Sequence, residues 1–256
     1  MTKLSKEQRI QEEEYTFPYH HIPRWDNGSF TQTYNLAWGF EYASYTRFVL
    51  DIMENLSFES VLDVGCGDGK LLHEVSRRFP EKRLLGIDHS EQAVKLATAL
   101  SPGIEYLSGD IKDPSLLPGS FDLITLIETL EHIPPDEIAD FLKGLHHYLK
   151  PDGTLIITVP SVNIKMVDKH YQHFTLKSLD DTIKPYFSIS THYFINMISF
   201  QAKVLGKMLT NKLYILNEKR LVNWIFGRYE RNLLKAQEKK ARRICAVCKK
   251  NSVDMP

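Results

Sequence analysis

The chain has 256 residues, of which 43% are hydrophobic and 25% charged, and its 32 Lys and Arg are balanced by 32 Asp and Glu. These proportions are those of a globular protein with a full core, and the balanced charge indicates no partner by itself. The sequence has no apolar run long enough to span a bilayer, no secretory signal at its start and only three cysteines. We therefore expect a cytoplasmic protein without a disulfide framework or a transmembrane segment.

Residues 1–56 are predicted to form a helical and aromatic segment. Residues 1–14 are polar and helix-prone, ten Phe, Tyr and Trp crowd residues 15–45, and residues 40–55 have helical periodicity. Aromatic rings with polar groups stack well on sugars and flat ligands, which favours a lid over a bound ligand. The substrate contacts predicted in this segment are Tyr19, His20, His21 and Trp25. The alternative is that these rings only cover an edge of the sheet.

Strands and helices alternate from residue 60 onward. The predicted strands are Ser60–Val64, Arg83–Asp88, Ile104–Leu107, Phe121–Ile127, Thr154–Val159 and Tyr186–Phe194. The predicted helices are Gly69–Phe79, Ser90–Leu100 with Ser90 as its N-cap, and Pro135–Leu149. This alternation predicts an α/β fold over residues 57–196, a Rossmann-like, doubly wound and mainly parallel sheet with helices on both faces.

Residues 197–240 are predicted to be a helical insertion before the last strand, Arg242–Lys249, which belongs to the terminal segment 241–256. Residues 201–250 contain 14 Lys and Arg against three Asp and Glu. A basic amphipathic helix either packs on its own domain, which we favour, or lies on an anionic surface such as a membrane, or binds a lipid-linked acceptor. No nucleic-acid module accompanies this charge. Cys245 and Cys248 are predicted to be structural rather than zinc-binding.

The first motif that indicates a ligand-binding site is residues 61–69, Val-Leu-Asp-Val-Gly-Cys-Gly-Asp-Gly, where a predicted strand is followed by a helix. The glycines permit positive φ and a close approach of the backbone to a ligand. Asp63 precedes the first glycine, Asp88 ends the next strand where an acid binds ribose hydroxyls, and Asp110 follows the third strand. Together these acids indicate a nucleoside with a cationic tail rather than the pyrophosphate of a dinucleotide.

Five segments resemble, in order and spacing, the successive motifs of class I S-adenosylmethionine (SAM)-dependent methyltransferases: residues 61–69, 86–90, 108–111, 121–132 and 149–160. Within that class the chain is similar to the group of ubiquinone-biosynthesis O-methyltransferases and of sugar and natural-product methyltransferases. The resemblance implies SAM as cofactor and a seven-stranded sheet whose last strand is antiparallel. The cofactor residues that it implies are Asp63, Gly65 and Gly67 for the methionine moiety, Cys66 through its backbone, Asp88 for the ribose, Asp110 with Ile111 for the adenine, and the flanking His89 and Glu128.

The run Glu128-Thr129-Leu130-Glu131-His132 follows the fourth strand, at the sheet edge where α/β proteins bind ligands. His132 is the predicted catalytic residue, because a neutral imidazole can accept the proton of an acceptor hydroxyl. The run also resembles the metal-binding run of small-RNA 3′-terminal ribose 2′-O-methyltransferases and of ubiquinone O-methyltransferases. That resemblance implies a divalent metal held by Glu128, Glu131 and His132 with a further histidine from residues 169–175, for which we take His173. We favour a site without a metal, and Glu131 and His132 before a proline also fit a helix-capping and loop-bracing pair. His173 is also a predicted substrate contact.

These observations predict an enzyme that transfers a methyl group from SAM to an oxygen, in preference to a nitrogen or carbon, of a small-molecule or glycan-type acceptor. Two alternatives stay open. One is a metal-dependent RNA ribose 2′-O-methyltransferase, and the other is a regulatory protein that binds SAM without catalysis. A location peripheral to a membrane would accompany a lipid-linked acceptor.

Overall fold

The computed structural model describes residues 5–7, 9–10, 24–26, 29–31, 36–209 and 218–252. The strands are β1 (Arg24–Asp26), β2 (Ser29–Thr31), β3 (Ser60–Val64), β4 (Arg83–Asp88), β5 (Glu105–Ser108), β6 (Phe121–Ile127), β7 (Leu149–Pro160), β8 (Phe187–Met197) and β9 (Ala241–Lys250). The α-helices are α1 (Leu36–Met53), α2 (Lys70–Arg78), α3 (Glu91–Leu100), α4 (Ile138–Tyr148), α5 (Leu176–Ile183), α6 (Phe200–Leu209) and α7 (Lys219–Leu233). Short 3₁₀ turns cover Leu130–His132 and Glu238–Lys240.

A seven-stranded sheet, ordered β5-β4-β3-β6-β7-β9-β8, organises the structure. The strands from β5 to β7 in this order pair in parallel, whereas β9 is antiparallel to both of its neighbours. From β3 the chain first proceeds to β4 and β5, and then crosses back to β6 on the other side. This reversal places a crevice at the carboxyl ends of β3 and β6, where doubly wound sheets bind ligands. β1 and β2 pair separately as an antiparallel hairpin.

Apolar side chains fill both faces of the sheet. Along β3, Leu62 belongs to the core that α4 and α5 cover with Phe141 and Leu179. The adjacent Val61 belongs to the opposite core, to which α1 contributes Val49 and which α2 and α3 also cover. Because successive side chains of a strand point to opposite faces, this alternation fixes the register of β3 between the two helical layers.

The predicted fold class is confirmed, with β3, β4 and β6 at the predicted limits. Ser90 caps α3, since its hydroxyl accepts a hydrogen bond from the Ala93 N–H at 3.1 Å. Cys245 and Cys248 are buried free thiols that belong to opposite cores. Within the predicted helical insertion, α6 and α7 are separate helices, and residues 210–217 lie outside the described part. Among the described helices, none is long and apolar enough to cross a membrane. The division at residues 56, 196 and 240 stays a prediction.

The start of the sheet is fixed by Asp122 at the beginning of β6. Its Oδ2 accepts hydrogen bonds from the Glu59 and Ser60 N–H groups at 3.1 and 3.0 Å and from Ser60 Oγ at 2.7 Å. Its Oδ1 accepts from Lys150 Nζ at 2.7 Å. Burial alone would raise the pKa of Asp122, but these hydrogen bonds prevail and lower it to about 2. One carboxylate therefore joins β3, β6 and β7 at their amino ends.

We expect Asp122→Asn to lower the free energy of unfolding at pH 7 by about 1–2 kcal/mol, since the charged form of Asp122 is the one that the fold stabilises and its side chain is 23% exposed. Because the pKa is lowered on folding, this contribution is present above about pH 4 and disappears as the pH falls toward 2. Urea unfolding at several pH values measures it. The exposed Asp136→Asn is the control, and a difference between Asp122→Asn and wild type that does not shrink toward pH 2 would contradict the assignment.

Candidate functional site

The glycine turn between β3 and α2 is shaped for a ligand. Gly65, Gly67 and Gly69 all have positive φ, at 73°, 54° and 75°. A Cβ atom on Gly65 would lie 2.5 Å from side-chain atoms of Thr129, so only glycine fits there. The N–H groups of Gly65 and Cys66 donate to the Ile87 carbonyl at 2.8 and 3.0 Å, which ties the turn to β4.

Asp88 joins the glycine turn to the start of α3. The Gly67 N–H donates to Asp88 Oδ2 at 2.9 Å, and the Ser90 N–H donates to Oδ1 at 3.0 Å. The side chain is buried, and the exposed His89 lies beside it with Nδ1 3.4 Å from Asp88 Oδ1. The carboxylate is therefore held in one orientation at the carboxyl end of β4, next to the turn.

Asp63 lies inside the same edge of the sheet. It is buried, and Thr125 of β6 donates its hydroxyl to Asp63 Oδ1 at 2.6 Å. Burial, together with repulsion from Asp88 and Asp68, raises the pKa of Asp63 to about 7. A cationic group bound nearby would return this residue to its charged form, so the site is matched to a positively charged ligand.

The remaining predicted cofactor residues flank these acids. Ile111 is buried, whereas Asp110 is exposed and accepts from the Lys112 N–H at 3.0 Å. Cys66 is buried, which raises the pKa of its thiol far above the ordinary value, so the thiol stays protonated and unreactive. The structure thus brings the predicted cofactor residues to one edge of the sheet, and their roles toward SAM stay predictions.

A cluster of histidines and one carboxylate lies after β6. Potential ligand atoms of Glu131, His132 and His170 all lie within 4.8 Å of one another. The 3₁₀ turn Leu130–His132 presents the first two residues, and the loop after β7 returns His170 to them. The Tyr171 N–H donates to the Glu131 carbonyl at 2.9 Å, which anchors that loop.

Hydrogen bonds fix the protonated nitrogens of these imidazoles. His132 Nδ1 lies 2.9 Å from the Lys169 carbonyl, and His173 Nδ1 lies 3.2 Å from the Ile164 carbonyl. A carbonyl only accepts, so both Nδ1 atoms carry the proton. His173 Nε2 must then accept from His170 Nδ1, at 2.9 Å. His132 and His170 are both left with an Nε2 lone pair free for a cation or a proton.

Burial favours the neutral forms of the groups in this cluster. Burial, with the nearby Lys169, lowers the pKa of His132 to about 4, and burial with its two histidine neighbours lowers the pKa of His170 to about 3. Burial and the Glu128 charge raise the pKa of Glu131 well above its ordinary value, and neither of its carboxylate oxygens has a hydrogen-bond partner among the residues that the structure describes. Two neutral imidazoles and a carboxyl group are donors that suit a divalent cation. His170, rather than the predicted His173, completes this group, and His173 orients it.

Arg243 of β9 is a site residue that the sequence did not indicate. It is buried, and its Nε donates to Glu128 Oε2 at 2.9 Å while Nη1 donates to Glu41 Oε2 of α1 at 3.2 Å. Its guanidinium also lies over the ring of Tyr45, 4.7 Å from the centroid. Glu128, a predicted cofactor and metal residue, is therefore oriented by an arginine 115 positions away. No local sequence motif indicates the pairing of Arg243 with Glu128.

The same arginine holds the two strained residues of the site. Glu128 and Asn196 have φ of 52° and 59°, and they are the non-glycine residues with positive φ in the described part of the chain. Arg243 Nη1 contacts Asn196 Oδ1 at 3.4 Å, and Asn196 Nδ2 donates to the hydroxyl of Tyr229 in α7 at 2.6 Å. Such strain persists only where surrounding contacts impose it, and it is concentrated at functional sites.

The predicted lid is only partly described. Tyr19, His20 and His21 lie outside the described residues, and Trp25 lies in β1, where its backbone pairs with Phe30. Their substrate contacts stay predictions. Farther toward the start of the chain, Ser5 and Glu7 contact the Tyr171 hydroxyl at 3.0 and 3.1 Å. An N-terminal segment therefore reaches the loop that carries His170 and His173.

Residues 61–153 match a family model described as a methyltransferase domain. The chain is 33% identical over 105 residues to a trans-aconitate 2-methyltransferase of Deinococcus radiodurans, covering 41% of this chain and 39% of the relative. It is 28% identical over 169 residues to a mitochondrial ubiquinone biosynthesis O-methyltransferase of Schizosaccharomyces pombe, covering 63% of this chain and 57% of the relative. The chain thus spans about half the length of the relatives that it matches.

The fold of the chain is also similar to that of a solved methyltransferase structure. A crystal structure of a SAM-dependent methyltransferase from Archaeoglobus fulgidus superposes with a TM-score of 0.56 at 15% identity, covering 83% of this chain and 94% of the other. At that identity the likeness concerns the fold alone. Together, the matched motifs and the fold confirm the resemblance drawn from the sequence.

We expect Arg243→Gln to lower the free energy of unfolding by on the order of 3 kcal/mol, because it leaves Glu128 and Glu41 without their buried countercharge. Adding Glu128→Gln should cost less than the sum of the two single changes, since the pair acts as one unit. Urea unfolding of the four proteins measures this coupling. Arg242→Gln is the matched control, because Arg242 also pairs with Glu41 but its side chain is 40% exposed. Additive effects of Arg243→Gln and Glu128→Gln would contradict the proposed pair.

Proposed function

We propose that this chain, which carries a class I SAM-dependent methyltransferase domain, transfers the methyl group of SAM to an oxygen atom of a small-molecule acceptor. The names of the two relatives, which refer to trans-aconitate and to ubiquinone biosynthesis, support a small organic acceptor. Oxygen is favoured because the histidine cluster after β6 offers a proton acceptor, which a hydroxyl requires and a free amine does not.

The observation that carries the proposal is the pair of buried acids beside the glycine turn. Asp88 is fixed with both oxygens at the carboxyl end of β4, where it would bind the ribose hydroxyls. Asp63 is buried with one donor, Thr125, and needs a cation to hold its charge. The amino group of SAM would provide that cation, whereas a pyrophosphate in the same place would be repelled.

The chain's own residues would then contribute alignment and a path for one proton. In methyl transfer the carbon–sulfur bond of SAM breaks as the methyl group bonds to the acceptor oxygen, leaving S-adenosylhomocysteine. His132 Nε2 has a free lone pair, because its Nδ1 donates to the Lys169 carbonyl, so it would take the hydroxyl proton. With a pKa of about 4, His132 is a weak base at pH 7. It would act best on a hydroxyl that is already acidic or is acidified by a neighbouring cation.

A second candidate function has no need of His132 as a base, namely metal-assisted transfer to a ribose hydroxyl or a similar diol, in which His132 Nε2 would bind the ion instead of a proton. Glu131, His132 and His170 fit a divalent cation, because the carboxylate has no partner among the described residues and both imidazoles have Nε2 free. Such an ion would supply Lewis acidity to an acceptor hydroxyl. We propose Mn²⁺ or Zn²⁺ as the best match to two nitrogens and one carboxylate.

Three alternatives differ from this proposal in the acceptor, in the place where the protein works, or in the absence of catalysis. A glycan-type or a lipid-linked acceptor would use the same cofactor site, and a lipid-linked one would require the protein to work at a membrane surface. A regulatory protein that binds SAM without catalysis is the remaining alternative. It would bind SAM in calorimetry, yet yield no S-adenosylhomocysteine with any acceptor.

We expect Asp88→Ala to weaken SAM binding by about 1–3 kcal/mol, the loss typical of charge-assisted hydrogen bonds. Isothermal titration calorimetry measures it. Glu91→Gln, an exposed change three residues along the chain, is the control and should leave the affinity unchanged. Because Asp88 also braces the glycine turn, Asp88→Asn is a milder second variant, in which the amide keeps the size and one acceptor and loses the other. Wild-type affinity in both Asp88 variants would rule out the ribose assignment.

We expect Glu131→Gln to lose more than about tenfold in affinity for Mn²⁺ or Zn²⁺ while becoming more stable in EDTA, since it removes a buried carboxylate that has no partner. Calorimetry with the metal alone, and thermal unfolding with and without it, give both readouts without any activity assay. Glu105→Gln, exposed on the edge strand β5, is the control. Equal metal affinity of Glu131→Gln and wild type would leave the cluster with only a loop-bracing role.

A further inference from the structure

Exposed apolar side chains are concentrated in two segments of the described chain. Among the described residues, the exposed large hydrophobic side chains lie in residues 162–167 and in residues 198–204 with 221–224, and the one other is Leu100 at the end of α3. The most exposed residues within the two segments are Phe200, at 81%, and Trp224, at 56%. Single exposed apolar residues are common on proteins, but a concentration of this kind marks an interaction surface.

Both segments leave the sheet at its carboxyl edge. The first follows β7, and Asn163 Nδ2 within it donates to the Ala241 carbonyl at the start of β9 at 3.0 Å. The second follows β8, and the Ile198 N–H donates to the Lys240 carbonyl at 2.6 Å. The glycine turn, Asp88 and the Glu131 cluster belong to the same edge. Leu100 ends a helix that runs away from it.

Helix α7 has an inner and an outer face. Ile225, Tyr229 and Leu233 form a small core with Leu205 of α6, so the packing expected for this helix holds for that stripe. Trp224 remains exposed on a different stripe, and Leu221, four positions before Ile225, is exposed in the first turn of the helix. Our expectation that the whole apolar pattern packs on the domain is therefore correct for one face only.

The exposed charges of these helices have a single sign. Among the described side chains of α6 and α7, the exposed charged residues are Lys203, Lys207, Arg220, Arg228 and Arg231. The acidic Glu230 is half-buried and pairs with Arg47 at 3.4 Å. Arg228 also lies over the Trp224 ring, 5.9 Å from its centroid, so the largest exposed ring and a cation share one patch.

We propose that this outer face of α6 and α7, with Phe200, Leu221 and Trp224 as apolar anchors, docks on an anionic phospholipid bilayer. Trp and Phe are favoured at the boundary between headgroups and acyl chains, and lysine and arginine are attracted to anionic lipids. A second copy of the chain is disfavoured as occupant, because an isologous contact would bring the same five cations face to face. The proposal goes beyond the methyltransferase assignment and does not depend on it, since lipid binding can be measured without SAM.

Cosedimentation with vesicles tests the proposal. We expect the full chain to bind vesicles of phosphatidylcholine with added phosphatidylglycerol, and to bind phosphatidylcholine alone at least about tenfold more weakly, with the difference reduced in high salt. The double variant Phe200→Ser/Trp224→Ser should lose at least about tenfold in binding. The double variant Arg220→Gln/Arg228→Gln should lose the preference for anionic lipid. Leu100→Ser, which removes an exposed apolar residue of 58% exposure from the other end of the fold, should bind as wild type does.

Circular dichroism and SAM calorimetry of each variant distinguish lost docking from lost folding, and they test the methyltransferase assignment separately. Sedimentation velocity tests the alternative occupant. A dimer that the Phe200→Ser/Trp224→Ser change converts to a monomer would assign the face to a second copy and overturn the proposal. Equal binding to neutral and anionic vesicles, or no binding to either, would overturn it as well.

Discussion

The buried guanidinium of Arg243 is the interaction on which the architecture of this site depends. It joins Glu128 after β6, Glu41 of α1 and Asn196 at the end of β8, elements that lie far apart in the sequence. A buried charge without partners would cost several kcal/mol, so each of these elements must be in place before the arginine can be buried. Because Asn196 also binds Tyr229 of α7, the position of the basic helices is linked to the edge of the sheet that carries the glycine turn.

Glu128 and Glu131, three residues apart, are both largely buried, but they differ in whether a cation within the chain compensates the carboxylate charge. Glu128 has its countercharge within the chain, whereas the buried oxygens of Glu131 have no partner among the described residues. Such a carboxyl group must take up a proton or a cation, and potential ligand atoms of His132 and His170 lie within 4.8 Å of it. His173 contributes indirectly, because it holds the tautomer of His170. The arrangement explains how a loop without regular structure can present fixed donor atoms.

Features set by local sequence were predictable, and features set by distant contacts were not. The limits of β3, β4 and β6, the Ser90 cap and the Asp88 position follow from apolar runs, capping residues and strand ends that can be read within a few residues. The choice of His170 over His173 depends on how the loop after β7 folds back through the bond from Tyr171 to Glu131. The role of Arg243 depends on the pairing of β9 between β7 and β8, which no local sequence pattern sets. Which stripe of α7 stays exposed depends on where α6 packs.

The distribution of charge along the carboxyl edge constrains the acceptor. Asp63, Asp88 and Glu131 make its interior acidic, whereas the exposed charges of α6 and α7 make its surroundings basic. An anionic acceptor would be drawn toward the entrance and then repelled by the carboxylates inside, unless cations offset them. SAM offsets Asp63 and Asp88 in the proposed complex, and a divalent ion would offset Glu131. An anionic acceptor therefore requires Glu131 to be protonated or bound to a metal, whereas a neutral acceptor does not, so the charge of the acceptor and the state of the Glu131 cluster are one question rather than two.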